Sequence, residues 1–526
     1  MEEYNNITEH NTIASRYNSL CTQRETFLER ARESSELTLP FLIPPEDHSG
    51  ATRYVTPFQG IGARGVNNLA SKLLLALVPP NAPFFRLQVE DFVLKDMEQD
   101  KPLKTDVEKA LGEIERAVMG NVETSADRVQ IFECLKHLIV SGNCLLNVED
   151  DGLRLFPLDR FVIIRDPMGK VLEIITRESV SPKTLPENIA EQVQQQLEGD
   201  EKTVDIYTYV CRKDNEWEVM QEVKGMIIPE SMGKFPLDKS SYIPLRMSSI
   251  SGENYGRGFV EQYLGDLKSL EGLTRAIVEG SSASSKVLFL VSPNGSTRAS
   301  HLAQSPNGAI VEGSANDVSV LKVDKLGDFR IAYDTMQRIE QRLEHAFLLN
   351  ASVQRQAERV TAEEIRFMAE ALEQSLGGIY SILSQELQLP YITRKIHIMQ
   401  KSKKLPQLPK GMIRPAIVTG LEALGRGNDR TKLVLFLETL QANLGAEAIG
   451  QYVNLSEAIK RLATADGIET KGLIKSEEDL QAEQQEQAEQ AQMQQMQDAG
   501  QQMAVKGMPQ VSPETIEQAV NTIPQQ

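Results

Sequence analysis

Chemistry-bearing patterns are scarce in this chain of 526 residues. Its four cysteines, Cys21, Cys134, Cys144 and Cys211, are widely scattered. That spacing gives neither a zinc-type pair nor a disulfide framework, and they read as idle or buried thiols in a reducing compartment. The six histidines (His10, His48, His137, His301, His345 and His397) are isolated from one another. No H-E-x-x-H, G-x-S-x-G or G-x-x-x-x-G-K-S/T string occurs, which leaves no zincin pair, nucleophile elbow or ATP-binding P-loop. The longest apolar run, Leu73 to Val78, is far too short to span a bilayer. The opening MEEYNNITEHNT is polar and acidic, unlike a secretion signal. These absences set the expectation of a soluble, non-catalytic protein made in the cytoplasm, with no cofactor, no metal and no membrane contact.

Positive charge is short as well. Lysines and arginines number 56 against 74 acids, a formal charge of −18 and a pI near 5.0. Tight nonspecific binding of nucleic acid needs clustered cations. The balance therefore argues against a protein that grips DNA. It leaves open a passage through which DNA slides, since an acidic wall repels phosphate.

Two motif matches lack their context. Gly60-x-Gly62-x-x-Gly65 fits the dinucleotide fingerprint and opens a helix, but TRYVTPFQ before it contains Pro57 and no βαβ unit follows. A tight turn feeding a packed helix accounts for it better. Asn6-Ile7-Thr8 and Asn294-Gly295-Ser296 match glycosylation sequons, which carry no meaning without secretion.

What is present is periodicity. A hydrophobic share of 40% supports a core, and the length suits roughly three domains or one elongated subunit. Apolar spacing predicts helices over 12–36, 62–77, 103–120 and 126–141. From Leu145 the period shortens to short strands (LLNVED, LRLFPL, RFVIIRDPMG, KVLEIITRE), and VDIYTYVCR with EWEVMQEV reads as a hairpin. Helical spacing returns at Tyr255, is interrupted by VLFLVSPNGS, AIVEGS and VSVLKV as strands, and resumes near Asp328. The helices flanking a compact insert must run roughly antiparallel. The fold class is mixed, mainly α with β-rich parts (α+β).

After Asn350 comes a short polar loop whose only charges are Arg355, Glu358 and Arg359. Thr361 and Glu364 form a capping box for the next helix. Ile365, Met368, Leu372, Leu376, Ile379, Leu383 and Leu387 make one stripe, Gly377-Gly378 reads as a kink, and Pro390 as the stop. That helix would span about 43 Å. Tyr391 to Arg414 contains no acid but carries Arg394, Lys395, Lys401, Lys403, Lys404, Lys410 and Arg414. It reads as a helix end whose cations suit the macrodipole, followed by a solvated linker. The alternatives are a surface for an acidic partner, or one pressed by DNA. Residues 481–503 hold 11 glutamines, and 476–526 hold nine acids and one lysine. This tail reads as solvated low complexity, or else as an extension that orders on assembly.

The strings ERVTAEEIRF, GGIYSILSQELQLP, GARGVNNLASKLLLALVP and GLEALGRG resemble the portal, or head-to-tail connector, proteins of short-tailed double-stranded DNA bacteriophages of the autographivirus type. The resemblance covers about 17–474. It implies a portal fold with a wing at 1–255, stem helices at 256–286 and 328–349, a clip at 287–327 and a tunnel loop at 350–361. A long kinked helix and linker follow at 362–412, then a crown at 413–475 and the Gln-rich tail at 476–526. It also implies a homododecameric ring at the unique capsid vertex of the virion, assembled in the host cytoplasm, as conduit for double-stranded DNA in packaging and ejection. The implied partners are the major capsid protein and scaffold, the terminase large subunit, the tail adaptor and internal core proteins.

By the same resemblance, Gln354, Arg355, Glu358 and Arg359 face DNA from the tunnel loop, although loop arginines are ordinarily plain surface charges. Gly377 and Gly378 are the hinge candidate, and Arg394, Lys395, Lys401, Lys403 and Lys404 a possible basic contact surface. From Tyr255 to Asn350 there are 10 basic and 11 acidic residues, so stem and clip are near neutral. The rival readings are a helical scaffold or adaptor without a DNA channel, and an acidic cytoplasmic enzyme with an unrecognised site.

Overall fold

The computed structural model describes residues 12–46, 48–80, 83–89, 101–195, 202–284, 288–306, 308–321, 326–349, 378–406, 413–417 and 433–443, with single positions at 372, 376, 453, 458, 459 and 462. In chain order, helices α1 (Ile13–Glu36) and α2 (Ile61–Leu77) precede β1 (Phe85–Val89), α3 (Lys101–Thr124) and α4 (Asp127–Ser141). Then come β2 (Asn143–Glu149), β3 (Gly152–Phe156), β4 (Phe161–Arg165), β5 (Val171–Val180), α5 (Glu187–Gln195), β6 (Val204–Lys213), β7 (Glu216–Val223), β8 (Met226–Pro236) and β9 (Tyr242–Arg246). The rest is α6 (Leu264–Ser284), β10 (Leu288–Val291), α7 (Ala299–Gln304), β11 (Val318–Leu321), α8 (Leu326–Ala346), α9 (Ile379–Leu383), a π-helical turn at Ser384–Gln388, α10 (Leu389–Lys401) and β12 (Ile413–Ile417). The fold is mixed α+β.

The chain divides into two compact units, 1–422 and 423–526. In the second, 433–443 is helical, with Leu435 and Phe436 exposed.

In the first unit, strands β4 to β8 form an antiparallel meander in sequence order. Lys224 and Gly225 both take positive φ between β7 and β8, the tight turn that suits strand twist. One face of the sheet packs Val162, Ile175 and Tyr209 against Ile13, Tyr17 and Leu20 of α1. The first amides of α1 have no partner within the helix. Those of Ile13 and Ala14 donate to the buried Glu222 carboxylate at 2.6 and 3.2 Å. That places an anion at a positive helix end. Leu185, Ile189 and Val193 cover another part of the sheet, so α5 is a helix that the sequence pattern did not announce. A second sheet, β3-β2-β9, is buried around β2 beneath α4.

Two expectations need correction. AIVEGS, read as a strand, is irregular at 309–314, and the insert is instead a β10–β11 hairpin with α7 between its strands. Pro390, read as a stop, lies inside continuous helix. Proline removes an N–H and its ring collides with the carbonyl four residues back. Here the π-turn at 384–388 directly precedes it and opens the ladder locally, so the helix passes through.

Candidate functional site

Helices α6 and α8 form an antiparallel pair. Arg342 meets Asp266 at 2.8 Å, and the Thr274 hydroxyl donates to the Met336 sulfur at 3.6 Å, so rising numbers on one helix face falling numbers on the other. Leu267, Leu270, Ile339, Leu343 and Phe347 are buried at one end. Toward the other end, Val278, Ile331 and Tyr333 are exposed. In the insert, Phe289 and Leu290 are neighbours on β10 and so point to opposite faces, yet they are 59% and 52% exposed.

Helix α2 grips the buried end of this pair. The Glu271 carboxylate of α6 accepts from the Phe58 and Gln59 amides at 3.1 Å each, and Gln59 Oε1 accepts from the Gly62 amide, capping α2. A Cβ at Gly62 would sit 2.4 Å from the Leu37 carbonyl oxygen, and one at Gly65 would sit 2.5 Å from Phe347 Cγ. Those glycines of the G-x-G-x-x-G string therefore serve close packing. One turn on, Asn68 Nδ2 donates to the Phe347 and Leu348 carbonyls at 2.9 and 3.2 Å, and Lys72 Nζ donates to the Leu348 carbonyl. Burial pushes the Lys72 pKa below its ordinary value. The end of α8 is a Schellman turn. The Leu348 amide donates to the His345 carbonyl, the Leu349 amide to that of Glu344, and Leu348 has φ of 55°. Neither Asn68 nor Lys72 was singled out from sequence. The i, i+4 polar pair on an otherwise apolar stripe of α2 was the available signal.

The basic run divides in two. Lys401, Lys403 and Lys404 are exposed. Arg394 and Lys395 are 9% and 5% exposed, which corrects the expectation that they belong to a contact surface. Arg394 donates to the Val148 and Lys239 carbonyls and lies over the Phe235 ring at 5.3 Å. Lys395 pairs with buried Asp127 at 2.6 Å, and the Tyr391 hydroxyl donates to the same oxygen at 2.6 Å. Burial first, then the Asp127 charge, pushes the Tyr391 hydroxyl pKa upward. A charge run with no acid nearby in sequence finds its acid 264 positions earlier than Tyr391.

Gln354, Arg355, Glu358, Arg359 and Gly377 lie outside the described residues, as do Thr361 and most of the helix it was expected to open. Gly378 is described and has φ of 89°, a left-handed break immediately before α9. Among the described residues no group of three or more His, Cys, Asp or Glu is placed to hold a metal ion, and no helix is long and apolar enough to cross a membrane. Cys134 and Cys144 lie side by side in the core, and all four cysteines are free.

A family model described as "Bacteriophage head to tail connecting protein" matches residues 10–474. The chain is 42% identical to the portal protein of Escherichia phage T7 over 88% of each chain. It is 41% identical to that of Enterobacteria phage T3, over 89% of this chain and 88% of the relative. Against the portal protein of Pseudomonas phage phiKMV it is 31% identical, over 86% of this chain and 90% of the relative.

Proposed function

This chain belongs to the bacteriophage head-to-tail connecting protein family, and from that membership we propose that it is a portal: a structural part, not a catalyst, whose copies close into a ring at one capsid vertex through which DNA enters and leaves. The observation that carries this is identity above 40% to the T7 and T3 portal proteins across nearly nine-tenths of each chain.

The finer assignments follow the same reading. Cyclic closure needs two unlike, complementary surfaces on each copy. The exposed apolar side chains on the outer halves of α6 and α8 and on both faces of β10 suit such contacts. The antiparallel α6–α8 pair forms the stem, 287–327 the clip that docks the terminase large subunit and later the tail adaptor, and 1–255 the wing that meets capsid and scaffold proteins. The crown at 413–475 faces DNA and internal core proteins. Exposed Lys401, Lys403 and Lys404 form the reduced basic contact surface. In the loop at 350–361, Arg355 and Arg359 touch passing phosphate weakly, with Glu358 between them preventing a tight clamp, so that a ring of such loops hinders DNA from slipping back.

Native mass by light scattering, with particle images of the same fraction, tests the ring. A hollow ring of several hundred kilodaltons, about twelvefold in symmetry, is expected. A monomer or dimer in assembly-favouring salt would return the scaffold or adaptor reading to the front. The valve has its own test: normal DNA retention in an Arg355→Ala, Arg359→Ala double variant removes it.

A further inference from the structure

The turn that ends α8 is held from outside the helix. Its left-handed residue is Leu348, at a position where glycine is usual because an L side chain crowds the backbone there. Such a conformation persists where the surroundings over-determine it. Three residues on one face of α2 do so here. Gly65 admits the Phe347 ring, Asn68 takes the Phe347 and Leu348 carbonyls, and the Lys72 ammonium takes the Leu348 carbonyl. Lys72 is 7% exposed, and no ion pair holds its charge away from the helix end among the described residues. A cation there also complements the negative end of α8.

We propose that Gly65, Asn68 and Lys72 are positioning residues: they lock Leu348 in its left-handed turn and thereby fix the direction in which the chain leaves α8 toward 350–361. The consequence for DNA rests on the channel-loop reading above, whereas the clamp itself does not. In that reading a helix of the wing holds the root of each channel loop, so a shift of α2 re-aims the loop without any residue of α2 touching DNA.

Hydrogen exchange at the Leu348 and Leu349 amides of the assembled full-length protein reads the clamp directly, because both amides donate inside the turn. Lys72→Met should speed their exchange about tenfold, the scale of losing one charge-assisted hydrogen bond in a locally opening turn. Adding Leu348→Gly should restore slow exchange, since glycine keeps the left-handed turn without being held. Asn68→Ala should act in the same direction with a smaller change, and serves if Lys72→Met does not fold. Unchanged exchange in the variants, or no restoration by Leu348→Gly, overturns the clamp. DNA content of filled particles separates the two layers. Faster exchange with lost DNA retention supports the link, and faster exchange with normal DNA content overturns the loop's role while leaving the clamp standing.

Discussion

Around Asp127 the chain hides its charges, whereas along the outer halves of α6 and α8 it leaves apolar side chains in the open. In the first region Lys395 and Tyr391 converge on one carboxylate oxygen of Asp127, and nearby Arg394 directs its guanidinium to carbonyls and a ring. In the second, the α6–α8 pair has a sealed inner end (Leu267, Leu343, Phe347) and an outer end showing Val278, Ile331 and Tyr333. The first region carries its own partners and holds its shape as a single chain. The second leaves its apolar side chains exposed, and in the proposed ring another copy would cover them. In the proposed ring, stability of the chain and stability of the assembly would thus reside in different residues.

The sharpest break of that contrast is Asp127→Ala. It leaves the Lys395 ammonium buried without a counter-charge, and should cost about 3–5 kcal/mol in a denaturant titration. Replacing both partners, Asp127→Leu with Lys395→Met, should cost far less, because no orphan charge remains.

Acid should damage α4, the helix that Asp127 opens, next. His137 is buried, and desolvation first, with Lys136 second, lowers its pKa to about 4 from 6.5. The folded state therefore binds fewer protons than the unfolded one between those values. Stability is unaffected by His137 above about pH 6.5 and falls as pH drops toward 4, by roughly 3 kcal/mol in all. Melting curves of His137→Gln should show a shallower acid loss than the parent chain.

Gly65→Ala joins the two regions. Its new methyl group meets the buried Phe347 ring, and overpacking of this kind costs about 1–3 kcal/mol. A Tm equal to that of the parent would show that the α2–α8 contact yields easily.

The smallest effect on the chain should come from Val278→Ser with Ile331→Ser, within about 0.5 kcal/mol as for exposed positions generally. Ring yield by light scattering should nevertheless fall. An unchanged yield would move the interface away from the outer halves of α6 and α8 and break the comparison on its second side.

Much of the local architecture was legible because periodicity is local. The helices at 13–36, 61–77 and 127–141 and the strands β2 to β7 lie within a few residues of where apolar spacing put them, although β2 and β3 join a separate sheet with β9. The departures are where tertiary context overrides local rules. Pro390 breaks a regular ladder but not one already opened by a π-turn. The cations at 394 and 395 look solvated until Val148, Lys239 and Asp127 are brought to them from distant strands and helices. The glycine fingerprint was set aside for lack of a βαβ context, but only the Phe347 ring and the Leu37 carbonyl explain why Cβ atoms are excluded. The role of Lys72 was hidden because its acceptor is a backbone carbonyl, which no residue type announces.

The pairing of β1 with β12 sets a timetable. Val89 meets Ile413, and Phe85 meets Ile417, across roughly 320 residues of intervening chain. At about 5–20 residues per second of synthesis, β1 waits on the order of half a minute for its partner strand. The Leu87 amide has the Glu115 carboxylate as an early acceptor, so the strand is not bare during that interval. Its ladder closes only when most of the polypeptide has left the ribosome. A nascent chain is therefore an incomplete building block until late in its synthesis, and truncated products lack the strand that finishes the first unit.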